Sequence, residues 1–136
     1  GNASNNLIDG GAGDDTINGG AGQDRLTGWT GQDVFVFTAA TDSPNALPDV
    51  ITDFNRLLGD RIDVSAIDAN TSIMGNQAFI WVGLIPPGAL PIQGRLGYQV
   101  SGSDLILLGN TSGFADFRVL LQGSAPSGIT ALDVNL

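Results

Sequence analysis

Histidine, cysteine, lysine and glutamate are all missing from this chain of 136 residues. Without cysteine there are no disulfides and no thiolate to serve as nucleophile or metal ligand. Without histidine, lysine and glutamate the commonest general bases are gone, and a zinc-protease motif such as H-E-x-x-H cannot be written. No apolar run reaches the roughly 20 residues that a membrane-spanning helix needs. Nothing at the amino terminus reads as a signal peptide. Positive charge is scarce: Arg25, Arg56, Arg61, Arg95 and Arg118 stand against 14 acids, for a net charge of −9. A pI near 4.1 argues against nucleic acid as a partner, because a basic stripe is the footprint expected there.

Every acid present is an aspartate. Aspartate favours turns and glutamate favours helices, so the acids belong in turns and few helices are expected. The stretch Gly10 to Val36 reads GGAGDDTIN, GGAGQDRLT, GWTGQDVFV, three consecutive nine-residue blocks. Each block has Gly at its fourth position (Gly13, Gly22, Gly31), Asp at its sixth (Asp15, Asp24, Asp33) and a large apolar residue at its eighth (Ile17, Leu26, Phe35). The preceding GNASNNLID puts Asn6 at the Asp position and Ile8 in the apolar slot. A flexible Gly/Asp linker would have no reason to keep those apolar residues in register.

Six Gly-rich positions turn through φ > 0 without steric cost. The three that follow suit a very short strand with its middle side chain inward. One turn plus one strand is half a coil, so turns two blocks apart stack, Asp15 over Asp33 and Asn6 over Asp24. Stacked strands lie about 4.8 Å apart, a spacing at which like charges repel. A hard dication relieves the repulsion, and Ca²⁺ takes about 6–8 oxygen ligands from carboxylates and backbone carbonyls. The expected side-chain ligands are Asn6, Asp15, Asp24 and Asp33. The expected carbonyl donors are the turn residues Gly10, Gly11, Ala12, Gly13, Gly19, Gly20, Ala21, Gly22, Gly28, Trp29, Thr30 and Gly31, for about two to three ions in all.

Asp42 falls eighteen residues after Asp24 and is expected to stack over it. Its block, FTAATD, lacks the glycines that would expose carbonyls, so the site needs another oxygen. Asp49, returned by the loop from Pro44 to Pro48, is the expected donor. Trp29 replaces the second Gly of its block, so the third turn is expected to be distorted, with Trp29 covering an edge. Asp14 is expected to be solvated. Beyond the array, short strands are expected at 33–38, 49–54, 61–64, 77–83, 95–100, 104–109 and 115–123, with a hairpin across Ser101-Gly102-Ser103 and Arg118 pointing outward.

The nonapeptide resembles the calcium-binding parallel β-helix repeat. The run DVFVF, DVITDF, GDRIDVSAID from Asp33 to Asp68 resembles, in that order, the carboxy-terminal module of serralysin-type secreted proteases. Similar modules occur in alginate epimerases and other repeats-in-toxin proteins. The resemblance implies an all-β fold, with a parallel β-roll over residues 1–36 continuing into an antiparallel β-sandwich over 37–136. It also implies that a pair matching Asp42 and Asp49 completes a calcium site. GNTSGFAD at 109–116 lacks the pair of acids that the family often carries there.

The chain opens mid-repeat at Gly1, as a piece of something longer would. No catalytic set emerges: Asp14 with Asp15 reads as turn chemistry, and Asp60 with Asp63 as a strand-end turn with Arg61 as charge partner. Aromatics at strand spacing, including Tyr98 and Trp81, read as core more readily than as a carbohydrate face with Arg95. The resemblance implies a secreted, extracellular, non-enzymatic module. Its partners would be calcium, the amino-terminal domain of a parent protein and a bacterial type I secretion apparatus. A polysaccharide-binding module, for alginate in particular, and a calcium-stiffened adhesin spacer are the alternatives.

Overall fold

A computed structural model of the chain describes residues 1–124 and 128–136. Its strands are β1 (Leu7–Ala12), β2 (Thr16–Ile17), β3 (Arg25–Thr30), β4 (Val34–Val36), β5 (Asp49–Ile51), β6 (Arg61–Asp63), β7 (Ile80–Leu84), β8 (Arg95–Ser101), β9 (Asp104–Asn110), β10 (Ala115–Leu121) and β11 (Val134–Asn135). The only helical segment among the described residues is a 3-10 turn, Ala131–Asp133. Two sheets form, a larger one in the order β1-β3-β5-β10-β9-β8-β7 and a smaller one in the order β11-β6-β4-β2.

The repeat builds the first part of both sheets. β1 lies parallel on β3 with Ile8 opposite Leu26, and β2 lies parallel on β4 with Ile17 opposite Phe35. These are the two-block steps that the nonapeptide spacing calls for. β1 and β3 run further than three residues: Gly11 pairs with Trp29 and Ala12 with Thr30. The start of each of these turns is therefore extended, because stacking on an identical neighbour gives its backbone groups partners. The next coil is looser. Leu26 meets Ile51 and Phe35 meets Ile62, so two insertions have entered the period without turning the apolar side chains outward.

The larger sheet passes without a break out of the roll, because β5 pairs with β10 in parallel, Ile51 opposite Leu121. β10, β9 and β8 are antiparallel neighbours, and β7 returns parallel to β8. The β8–β9 hairpin closes through Ser101 and Asp104, with Gly102 at φ 64°. β7 starts later than its apolar run, because Gln77 is held by the Asp68 carboxylate and by Ala69. β11 on β6 was not expected; it joins residues 72 apart in the chain, Asn135 to Asp63.

Between the sheets lies one core that runs from Ile17 to Val134. Leu26, Phe35, Ile51, Ile62, Leu107 and Phe117 are fully buried, each stabilising by about 1.5–3 kcal/mol relative to exposure. Phe37 meets Phe117 edge-on at 5.4 Å. Trp81 stacks on Tyr98 at 6.1 Å, and both pack against the core. Strand alternation puts Arg95 on the opposite face from Tyr98, so the two form no common carbohydrate surface.

Candidate metal centre

The turns of the roll are set by backbone conformation. Gly11 and Gly20 hold φ 104° and 86°, and Gly13, Gly22 and Gly31 hold 114° to 132°. Trp29, at the second position of its block, is the one non-glycine residue in the left-handed region among those described, with φ 72°. Asp53 stabilises that turn: its carboxylate accepts the N–H of Gly28 at 3.0 Å and of Trp29 at 2.7 Å. The indole is 60% exposed, so it does not cover an edge as expected. The first glycine of each block serves differently. A Cβ at Gly10, Gly19 or Gly28 would come within 2.8, 2.3 and 2.3 Å of Oδ2 of Asp15, Asp24 and Asp33 respectively. Each carboxylate therefore folds back over the start of its own turn.

One oxygen of each carboxylate joins adjacent coils. Asp24 Oδ1 accepts the N–H of Asn6 at 2.7 Å, and Asp33 Oδ1 that of Asp15 at 3.0 Å. Asp49 Oδ1 accepts the N–H of Asp24 at 2.7 Å, and Asp60 Oδ1 that of Asp33 at 3.1 Å. Two columns result, Asn6–Asp24–Asp49 on one side of the roll and Asp15–Asp33–Asp60 on the other. The second oxygens of Asp15, Asp24, Asp33 and Asp49 are buried without a hydrogen-bond partner. A buried polar atom left unpaired costs about 1–3 kcal/mol, and more when charged. Burial pushes the Asp49 carboxyl up to about 7; the charges of Asp24 and Asp42 add to this, against the hydrogen bond from the Asp24 N–H.

This arrangement fits a hard cation. All its donors are oxygens, which suits Ca²⁺ and gives no hold to metals that want nitrogen or sulfur. No three acidic side chains converge among the described residues. Each ion would therefore take one or two carboxylates and complete its shell from backbone carbonyls of the glycine-rich turns.

Asp42 does not stack over Asp24. Its Oδ2 accepts the N–H of Thr38 at 2.7 Å, the Thr38 hydroxyl at 2.8 Å and the N–H of Ala39 at 3.1 Å. Asp49 takes the stacking place instead. Residues 38–48 leave the roll, and within them Ser43 to Asn45 pair with β10, where the N–H of Arg118 donates to the Ser43 carbonyl and Pro44 bridges Phe117. The Ser43 hydroxyl, fully buried, accepts the N–H of Asp49 at 2.7 Å and donates to the Arg118 carbonyl.

Asp14 is exposed but engaged: it accepts the N–H of Gln32 at 2.8 Å. Arg61 pairs with neither Asp60 nor Asp63; its guanidinium donates to the Leu132 carbonyl at 2.8 Å. Asp60 has both oxygens used, the second by the N–H of Asn55 at 2.8 Å. In the 109–116 loop Asp116 is saturated by the Thr111 N–H and hydroxyl and by the Ser112 hydroxyl. Ser43, Asp53 and Asp60 are the site-shaping residues that the repeat count did not reveal.

Coils that carry columns of carboxylates on both flanks, with glycine turns folded around them, define a calcium-binding β-roll module. This chain belongs to the peptidase M10 serralysin C-terminal family, which it matches over residues 3–125. It is similar to the solution structure of the AlgE6R2 subunit from the Azotobacter vinelandii mannuronan C5-epimerase, at 29% identity and TM-score 0.60, covering 98% of this chain and 89% of that one. The AlgE6R3 subunit of the same enzyme shares the fold at 24% identity and TM-score 0.56, with 96% and 77% covered. No curated protein matches the chain significantly.

Proposed function

We propose that this domain is a calcium-driven folding and export module, the non-catalytic carboxy-terminal part of a larger secreted protein. The observation that carries the reading is the set of four buried, unpaired carboxylate oxygens on Asp15, Asp24, Asp33 and Asp49. When bound, calcium supplies the positive charge those oxygens lack. The chain's own residues do the rest: the first glycine of each block admits the carboxylate, and the interstrand N–H fixes its other oxygen. Ser43 holds Asp49 in the column, so one ion joins the array of residues 1–36 to residues 37–136, and the two fold as a unit. Extracellular calcium sites bind with Kd near 10⁻⁴–10⁻³ M. In the cytosol, where calcium is scarce, such a chain stays open for a type I apparatus, and outside it closes. At ten times Kd each site contributes roughly 1.4 kcal/mol, so three give about 4, a large share of a small domain's stability. Circular dichroism in excess chelator is expected to show loss of β structure that millimolar calcium restores. Equal β content in both conditions would remove the proposal.

A second reading draws on one observation. Arg25 lies opposite Val50 and Val50 opposite Leu120, so Arg118, two residues before Leu120, shares with Arg25 one face of the larger sheet. A uronate polymer of the kind mannuronan epimerases act on would present carboxylates to such a face. Calorimetry with alginate oligomers is expected to show binding that weakens with salt and with Arg118→Gln; no heat of binding would leave the calcium role alone.

A further inference from the structure

The 35 residues from Ala69 to Ser103 contain no acid and a single cation, Arg95, while all 14 aspartates and the other arginines lie elsewhere. In this segment a cleft of about 370 Å³ opens between β7 and the loop that follows it, lined by Val82, Leu84, Ile85, Leu90, Ile92 and Arg95 among others. Leu84, Leu90 and Ile92 are 60%, 60% and 67% exposed. The loop that carries them is fixed. Gln99 Nε2 donates to the carbonyls of Pro86 at 2.9 Å and Ala89 at 2.7 Å, and the buried Asn110 donates to that of Pro91 at 2.7 Å. The cleft is thus preformed, at the small end of the range for small-molecule sites. Arg95 is the one charge on its wall. Among the described residues no carboxylate and no hydrogen-bond acceptor engages its guanidinium.

We propose that this cleft binds a medium-chain aliphatic carboxylate, with its hydrocarbon against Leu84, Ile85, Leu90 and Ile92 and its carboxylate on the Arg95 guanidinium. A guanidinium matches a carboxylate with two parallel hydrogen bonds. The aliphatic walls favour a hydrocarbon body, since hydroxyls buried against them would lose their water without gaining partners. A uronate is for that reason a poor occupant, although it carries the same acid group. The segment that builds the cleft carries no acid of its own, which favours an anion here over the roll.

The test is octanoate titrated into the folded, calcium-loaded domain and followed by NMR. The neutral arm is 1-octanol, and the hydrophilic arm is a uronate oligomer. Octanoate is expected to shift the Arg95 Nε–H and the methyl signals of Leu84, Leu90 and Ile92, and to bind about tenfold or more tightly than octanol. Arg95→Gln is expected to remove that advantage and leave octanol binding unchanged; Arg118→Gln is expected to leave both unchanged. Equal affinity for octanoate and octanol overturns the proposal. So do full octanoate affinity in Arg95→Gln, displacement of octanoate by the uronate oligomer, and shifts confined to other surfaces. Uronate binding elsewhere on the sheet, with octanoate seated in the cleft, would support both this site and the polysaccharide reading.

Discussion

The two columns of turns begin alike and end differently. On one side Asp24 is followed by Asp49, whose first oxygen takes the N–H of Asp24 and whose second is buried without a partner. On the other side Asp33 is followed by Asp60, whose first oxygen takes the N–H of Asp33 and whose second takes that of Asn55. One column thus leaves an unpaired oxygen where it meets the rest of the domain, and the other is closed by the protein itself. The same side chain is left with an unpaired oxygen or serves as a cap according to whether a second N–H reaches it. Beyond the roll the capping use prevails: Asp116 is saturated by Thr111 and Ser112, and Asp133 accepts the N–H and hydroxyl of Thr130 and pairs with Arg56 at 3.3 Å.

The strongest way to break this contrast is to cut each column in turn. Asp24→Ala removes the carboxylate in the middle of its column, between Asn6 and Asp49. It is expected to abolish binding of about two ions, roughly 3 kcal/mol at ten times Kd, and to raise the calcium midpoint for the whole domain, with the change visible at Trp81. Asp49→Ala is expected to remove about one ion. Asp60→Ala is expected to lower stability by about 1–3 kcal/mol, because it strands two N–H groups, yet to leave the calcium count unchanged. Calorimetric stoichiometry and chemical denaturation separate these outcomes. A lost ion in Asp60→Ala, or none lost in Asp49→Ala, would reverse the assignment of the two column ends.

A smaller effect follows from Asp49. Burial first, then the nearby charges, raise its carboxyl from an ordinary 3.8 to about 7 in the folded, calcium-free state. The folded state therefore holds more protons than the unfolded one between those values. The destabilising effect of its ionised form is fully present above about pH 7 and fades as pH falls towards 4. Calcium-free stability is expected to rise on mild acidification, while the calcium midpoint also rises because the proton competes for the same oxygen. With the calcium-free domain held folded by a stabilising osmolyte, calcium binding near pH 7 is expected to release protons, read as a buffer-dependent heat. Asp49→Asn should remove most of that release; an unchanged heat would place the proton on another group.

Much of the roll was legible because its period is strict. Ile17, Leu26 and Phe35 are inward and buried, at the slots a nine-residue count assigns. The count misled at Asp42, which keeps the spacing but not the place, because residues 38–48 leave the coil and Ser43 to Asn45 pair with β10. Asp49 re-enters 25 residues after Asp24, a step set by a contact with Ser43 and Arg118 that no local pattern contains. Asp53 was hidden for a related reason. Its partners are N–H groups of the Trp29 turn, and only the stacking of β5 on β3 brings them together. β11 pairs with β6 across most of the chain, so its two residues carry no signal of their own.

The smallest effect tests whether every stacked acid is a ligand. Asp14 sits next to Asp15 but points outward, where its carboxylate takes the N–H of Gln32. Asn5 does the same for Gln23 one block earlier, at 3.0 Å. The fifth position of the repeat thus ties coil to coil through a neutral amide as readily as through an acid. Because water reaches these N–H groups, losing the side chain strands nothing. Asp14→Ala is expected to lower the thermal midpoint by about 2 °C or less, and Asp14→Asn by less still, with calcium stoichiometry unchanged in both. A lost ion in Asp14→Ala that Asp14→Asn also fails to bind would make the fifth position a ligand, and the columns would then be two carboxylates wide.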